Sequence, residues 1–343
     1  MILPFELESP IKTDNTDVYT HGIILSREGG MQFLYTIYID VDFDLRSRDF
    51  FYNNFYNAYT YRGPLMKKYC DVSIGSNESL FHDFCKTSID DGKYIWGICD
   101  DYYLPHRIAY KRFKFQHDFL LIGYDENSYY LAGYNDRVKP EIVSVTKKEL
   151  FDAVYEKRNH QLSTVEVNPS YKFNIDVPYI LRQLKIYYTG GMSRILRKYF
   201  GITSTLGFIK SFEENILELK PREFPDLAPT EEDDDPSIYI HYVTIFRRYM
   251  EHKQMLYKRF MYLADRYKMY DKETFDILSQ NAFLGEIIFN MSIKVRISNS
   301  RITAEKMIDE FKKIYENEEK LFPKLISYTE ALVEKQKDEK YEY

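Results

Sequence analysis

The sequence predicts an α+β protein with its sheet and its helices segregated along the chain, and three observations carry that expectation. The first half alternates short apolar runs with turn residues at period two, whereas from about Tyr179 apolar residues recur every three or four positions, the period of a helix. Aromatic residues make up 17% of the 343 positions, enough ring area to offset the entropy of ordering the chain. This length calls for about two domains, which the change of period places at 1–170 and 171–343.

Taken in order, Met31 to Phe43 sets Phe33, Tyr35, Ile37, Ile39, Val41 and Phe43 on one parity, with Asp40 and Asp42 on the other, and so reads as a half-buried strand. Glu78 to Cys85 reads as a helix with Phe81, Phe84 and Cys85 on one face. Asp90-Asp91-Gly92 is a turn signal before the apolar run Tyr94 to Cys99. Phe115 to Tyr124 and Ser128 to Tyr134 flank Asp125-Glu126-Asn127, a hairpin signal, because Asp and Asn side chains bond their own backbone in turns. After a strand at Glu141 to Val145, Thr146 and Glu149 have the spacing of a capping box at a helix start. The expected first domain is therefore an antiparallel sheet around a central hairpin.

In the second half, Tyr242, Phe246, Tyr249, Leu256, Phe260, Leu263 and Tyr267 define an amphipathic helix over Ile238 to Tyr270, interrupted only by Lys253. Phe275, Leu278, Ala282, Gly285 and Phe289 repeat the pattern, and Met307, Phe311, Ile314, Leu321 and Leu325 carry it through a third helix capped by Thr303. Short connections imply a bundle. Before it, the proline-bounded acidic run at 225–236 has no apolar face and reads as an exposed loop.

Composition excludes several classes. The three cysteines, Cys70, Cys85 and Cys99, lack CxxC spacing and argue against a disulfide framework or a cysteine-built zinc site, which points to a reducing, cytoplasmic setting. The first residues have no basic or apolar leader, and no run of about 18 apolar residues occurs, so neither export nor a membrane partner is expected. A formal charge of −6 leaves no basic footprint for nucleic acid. No glycine-rich phosphate loop is present, so no nucleotide cofactor is expected. His82, Asp83 and Cys85 could supply two metal ligands from one helical face, but a complete site lacks two more, and burial explains them better.

Among seven histidines, His117 is placed best for chemistry. It lies in a strand whose neighbour, starting at Tyr129, can present a polar partner, and an imidazole oriented in this way is what a Cys-His-Asn or Cys-His-Asp hydrolase needs. The segment His117-Asp118-Phe119-Leu120-Leu121-Ile122-Gly123-Tyr124-Asp125, followed by Tyr129 to Tyr134 and the helix start at Thr146, resembles the histidine hairpin of proteins similar to butirosin biosynthesis protein H. The run Cys99 to Pro105 and the helical stretches Phe246 to Lys253 and Phe260 to Leu263 agree with that family as well.

The resemblance implies a papain-like first domain and acyl transfer in natural-product assembly, from a carrier-protein thioester to an amine, with no cofactor beyond the carrier's phosphopantetheine arm. It implies a cysteine at the start of the first helix, where the helix dipole favours a thiolate. The matching stretch, Asp14 to Leu25, has none, and Thr16 or Asp17 stands in the expected place. Gly133 falls where the orienting acid belongs, and Asn135, of the same strand parity, is the stand-in. The expected constellation is thus His117, Asn135 and Thr16 or Asp17, with Tyr102 and Tyr103 lining the cleft.

The helix at 238–270 is basic, with Arg247, Arg248, Lys253, Lys258, Arg259, Arg266 and Lys268 against Glu251 and Asp265, and Arg247 and Arg248 are the expected docking residues for an acidic acyl or peptidyl carrier protein. A catalytically silent homologue that binds a carrier, a partner enzyme, a paired homologue or a second copy is the alternative. A cysteine peptidase is disfavoured by the missing thiol.

Overall fold

The computed structural model describes residues 1–13, 15–52, 63–70, 77–136, 139–155, 162–215, 236–298 and 300–341. In chain order the elements are α1 (Asn15–Leu25), α2 (Gly30–Thr36), β1 (Val41–Asp44), β2 (Asp49–Tyr52), β3 (Leu65–Cys70), α3 (Glu78–Asp90) and β4 (Tyr94–Asp100). A 3-10 turn, Asp101–Tyr103, precedes β5 (Gln116–Tyr124), β6 (Ser128–Tyr134), β7 (Pro140–Thr146), α4 (Lys147–Tyr155) and β8 (Leu162–Val167). Then follow α5 (Val177–Thr189), β9 (Gly191–Ser193), β10 (Lys198–Phe200), α6 (Thr203–Asn215), α7 (Pro236–Tyr267), α8 (Lys272–Ser298) and α9 (Arg301–Tyr341). The fold class is α+β, with antiparallel sheets and a helical C-terminal half.

The chain divides into two compact units. The first is Met1–Met31 with Tyr56–Asn174, and the second is Gln32–Phe55 with Ile175–Tyr343. Sequence reading put a single boundary near 170; here the chain enters the second unit at 32 and returns before completing the first. The acidic run expected as a loop at 225–236 lies outside the described residues up to its last position, Pro236, which opens α7.

In the first unit an antiparallel sheet runs in the order β3-β8-β4-β5-β6-β7. The hairpin β5–β6 forms at the Asp125 turn, where Oδ1 accepts the N–H groups of Asn127 at 2.9 Å and Ser128 at 2.7 Å. The capping box at α4 is present with both halves, Thr146 N–H to Glu149 Oε2 at 2.8 Å and Glu149 N–H to Thr146 Oγ1 at 3.2 Å. Leu120, Leu121 and Ile122 of β5 and Leu131 of β6 are wholly buried, as are Ile23 and Ile24 of α1.

In the second unit, Phe246 and Tyr249 of α7 pack with Phe208 of α6, Ile288 of α8 and Phe311 of α9. Further along, Leu256, Phe260 and Leu263 of α7 meet Phe275 and Leu278 of α8 and Leu321 and Leu325 of α9. The third long helix is capped by Ser300, not Thr303: Ser300 Oγ accepts the Thr303 N–H at 3.2 Å, and the helix starts at Arg301.

Met31 to Phe43 is not one strand. It forms the end of α2, an irregular stretch, and the start of β1, which pairs with β2 and with β10. Positions 36–44 are buried at both parities, so alternation had no exposed face to report. The carbonyls that close α2 are satisfied by α7: Arg259, wholly buried, donates to the carbonyls of Tyr35, Ile37 and Tyr38. Two and three turns earlier on the same face, His252 Nε2 lies 2.8 Å from the Ile39 carbonyl, and Arg248 pairs with Asp49 at 2.6 Å and donates to the Phe50 carbonyl. Burial pushes the Arg259 pKa down to about 9.

Candidate functional site

The site is built on the edge where β4 passes through the 3-10 turn towards β5. Cys99 and His117 are directly opposed in the β4–β5 ladder, so Asp101, two residues beyond Cys99, comes under the histidine. Asp101 Oδ2 lies 3.1 Å from His117 Nδ1, and its other oxygen lies 3.7 Å from Arg107 Nε. The Asp101 and Arg107 side chains are each 3% exposed, while the His117 side chain is 35% exposed. Since a carboxylate only accepts, the contact selects, in the neutral ring, the tautomer with hydrogen on Nδ1 and none on Nε2.

Arg107 is held in turn. Its Nη1 donates to the Tyr134 carbonyl at the end of β6 at 2.6 Å, and the Tyr134 hydroxyl donates to the carbonyl of Lys12, just before α1. Burial works against the guanidinium's charge, but Tyr19, Asp101 and Cys99 around it hold its pKa above the ordinary value. Its Nε and Nη2 have no hydrogen-bond partner among the described residues. Gly133 makes room for this group: a Cβ there would lie 2.5 Å from Nη2. Helix α1 is fastened to β5 through Tyr19, which is buried edge-on against Trp96 and donates its hydroxyl to the Asp118 carbonyl at 2.9 Å.

Each residue singled out from sequence has a definite place. Thr16 is exposed and Asp17 half-buried in the first turn of α1. The Asn135 side chain holds its own turn, with Nδ2 donating to Glu141 at 2.8 Å and Oδ1 accepting the Lys139 N–H at 3.0 Å. The carboxylate that meets His117 belongs instead to Asp101. Tyr102 and Tyr103 are half-buried on the 3-10 turn, edge to face at 5.1 Å, with Lys111 and Lys114 over both rings.

The expectation of a basic docking face on α7 meets a correction. Arg248, Lys253 and Arg259 are buried, committed to Asp49, to Glu318 and to backbone carbonyls. Arg247 pairs with Glu251 at 3.4 Å. Donors were needed where a helix end and a hairpin are buried against α7, and long cations reach there.

Cys85 and Cys99 are wholly buried, and burial, reinforced at Cys99 by Asp101, pushes both thiols up and keeps them protonated. Cys99 Sγ points to the His117 backbone carbonyl at 3.6 Å. The side chain of Cys70 lies outside the described residues. His82 contacts Tyr129 at 3.0 Å and Glu78 at 3.4 Å.

Sequence reasoning missed Asp101 and Arg107. The one available signal was the doubled acid Asp100-Asp101 at the end of an apolar strand, six residues before an arginine; nothing local marks that arginine as buried. Among the described residues, no helix is long and apolar enough to cross a membrane. No known family model matches the chain, and no curated protein matches it.

Proposed function

We propose that the chain transfers an acyl group from a carrier-protein thioester to an amine, on a papain-like first domain related to the butirosin biosynthesis protein H proteins, with His117 as general base. The observation that carries this reading is the graded row Arg107, Asp101, His117: a buried cation holds a buried carboxylate, and the carboxylate holds an imidazole that is a third exposed. In the reaction, His117 Nε2 takes a proton from the acceptor amine as its nitrogen attacks the thioester carbonyl. The tetrahedral intermediate then expels the carrier's thiolate, which leaves with a proton from the imidazolium. The carbon–sulfur bond breaks, an amide bond forms, and His117 returns to its starting state. No enzyme thiol takes part, in keeping with the sealed, protonated Cys85 and Cys99 and with Thr16 at the first turn of α1.

The test is product formation from an acylated carrier protein and an amine. His117→Ala should lower the rate by about 10²–10⁴, the usual contribution of a positioned base. Equal product from the variant would sink the base role. A silent carrier-binding homologue is the second reading, favoured by Thr16 where the resemblance implies a nucleophile. Tight carrier binding without turnover by the wild type would select it.

A further inference from the structure

Next to His117, the loop from Tyr102 to Phe115 gathers positive charge. Lys111, Arg112 and Lys114 are all exposed. The Lys111 ammonium lies 5.0 Å from the Tyr102 ring centroid, 5.3 Å from Tyr103 and 5.5 Å from Tyr110. Lys114 lies 4.8 and 4.2 Å from the first two of these rings, and it donates to the Tyr103 hydroxyl at 2.8 Å. Two like charges thus share one pair of rings, with Asp100 3.5 Å from Lys114.

The backbone holds this arrangement at a cost. His106 and Lys111 have φ of 68° and 55°, a region that side-chain-bearing residues adopt only where their surroundings impose it. Here the surroundings do: Lys111 N–H bonds to the Tyr102 carbonyl at 3.1 Å, Asp101 N–H to the Phe115 carbonyl at 2.8 Å, and Phe115 N–H to Asp100 Oδ1 at 3.0 Å. The Phe115 ring then lies 5.4 Å from the imidazole of His117. Like charges held this close repel one another, and an anion between them offsets that repulsion.

We propose that Tyr102, Tyr103, Lys111 and Lys114 bind the phosphate of the acyl donor, anchoring its pantetheine arm beside His117. The choice of ligand rests on the acyl-transfer reading above. The lysines supply charge, the Tyr103 hydroxyl a hydrogen bond, and the ring edges a wall along which the arm lies. The docking charge expected on α7 is thereby assigned to this loop.

The experiment is calorimetric binding of 4′-phosphopantetheine and of pantetheine to the full chain, wild type and Lys111→Gln/Lys114→Gln. The wild type should prefer the phosphorylated form by at least about tenfold, falling as salt rises, and the variant should lose that preference. Equal affinities in the wild type, no measurable binding of either form, or a preference that survives in the variant would each overturn the proposal. Turnover of a pantetheine thioester without phosphate, wild type against His117→Ala, tests the acyl-transfer reading separately. If turnover fails while phosphate preference holds, that reading falls and the anion site stands; the opposite pair of results removes the site and keeps the reaction.

Discussion

In the first unit, a buried arginine and aspartate end in an imidazole that is 35% exposed. In the second, Lys253 and Glu318 meet at 2.7 Å with side chains 1% and 0% exposed, and Tyr187 closes the cluster by donating to Glu318 at 3.0 Å. Both are cation–carboxylate pairs with an added titratable group. The Lys253 cluster is sealed on every side: its neighbour His252 is held neutral by burial and by the nearby lysine, and Tyr249 and Tyr187 are pushed up by burial and by Glu318. The difference teaches that a density of titratable groups is not what marks a site. A group that can meet a substrate does.

The largest effect should come from unbalancing the sealed pair. Lys253→Met or Glu318→Leu alone should lower stability by about 3–5 kcal/mol in denaturant titration, because each strands a buried charge, while the double variant should recover most of the loss. Singles that cost under about 1 kcal/mol would erase the contrast between the clusters. Arg107→Leu, which strands Asp101 in the same way, should cost about 3 kcal/mol. It should also mix the His117 tautomers, which nitrogen chemical shifts of the ring would report; a ring still hydrogenated on Nδ1 alone would show that Arg107 does not position it.

An intermediate effect is expected from pH. His21 of α1, wholly buried 2.7 Å from Ser9 Oγ, has its pKa pushed down to about 3 by burial. Below its ordinary pKa of about 6.5 the unfolded chain takes up a proton that the folded chain refuses, so stability present at neutral pH falls as the pH drops towards 3. Between pH 7 and 5 the loss from this residue is about 2 kcal/mol, and His21→Gln should flatten that part of the slope. The smallest change is expected for His117→Ala, whose half-open ring should alter stability by under about 0.5 kcal/mol. A larger shift in its unfolding midpoint would place it with the sealed cluster.

Legibility in the sequence followed the range of the interactions. The Asp125 turn, the Thr146 capping box and the long C-terminal helices were all readable because their determinants lie within a few residues of one another. So was the strand that carries His117. The partner of His117 was not, since strand pairing and a 3-10 turn bring Asp101 to it from 16 residues away. Nor was the fate of α7's cations, because Arg248, Lys253 and Arg259 look like a solvated face until the carbonyls and acids facing them are known. Period two failed at 31–43 because 30–36 is helix α2 and because burial on both parities at 36–43 gives alternation no polar side to contrast with.

The tie between Arg259 and the 35–38 carbonyls has a consequence for how the protein is made. Arg259 and Tyr35 are 224 residues apart. At about 5–20 residues per second, translation leaves the β1–β2 hairpin waiting roughly 10–45 s for the helix that covers it. Until α6 and then α7 are made, Phe43 and Phe50, both buried in the finished second unit, lack the helices they pack against. The nascent chain therefore carries an apolar hairpin through most of its synthesis, which makes residues 41–52 the segment that a ribosome-associated chaperone has most reason to hold.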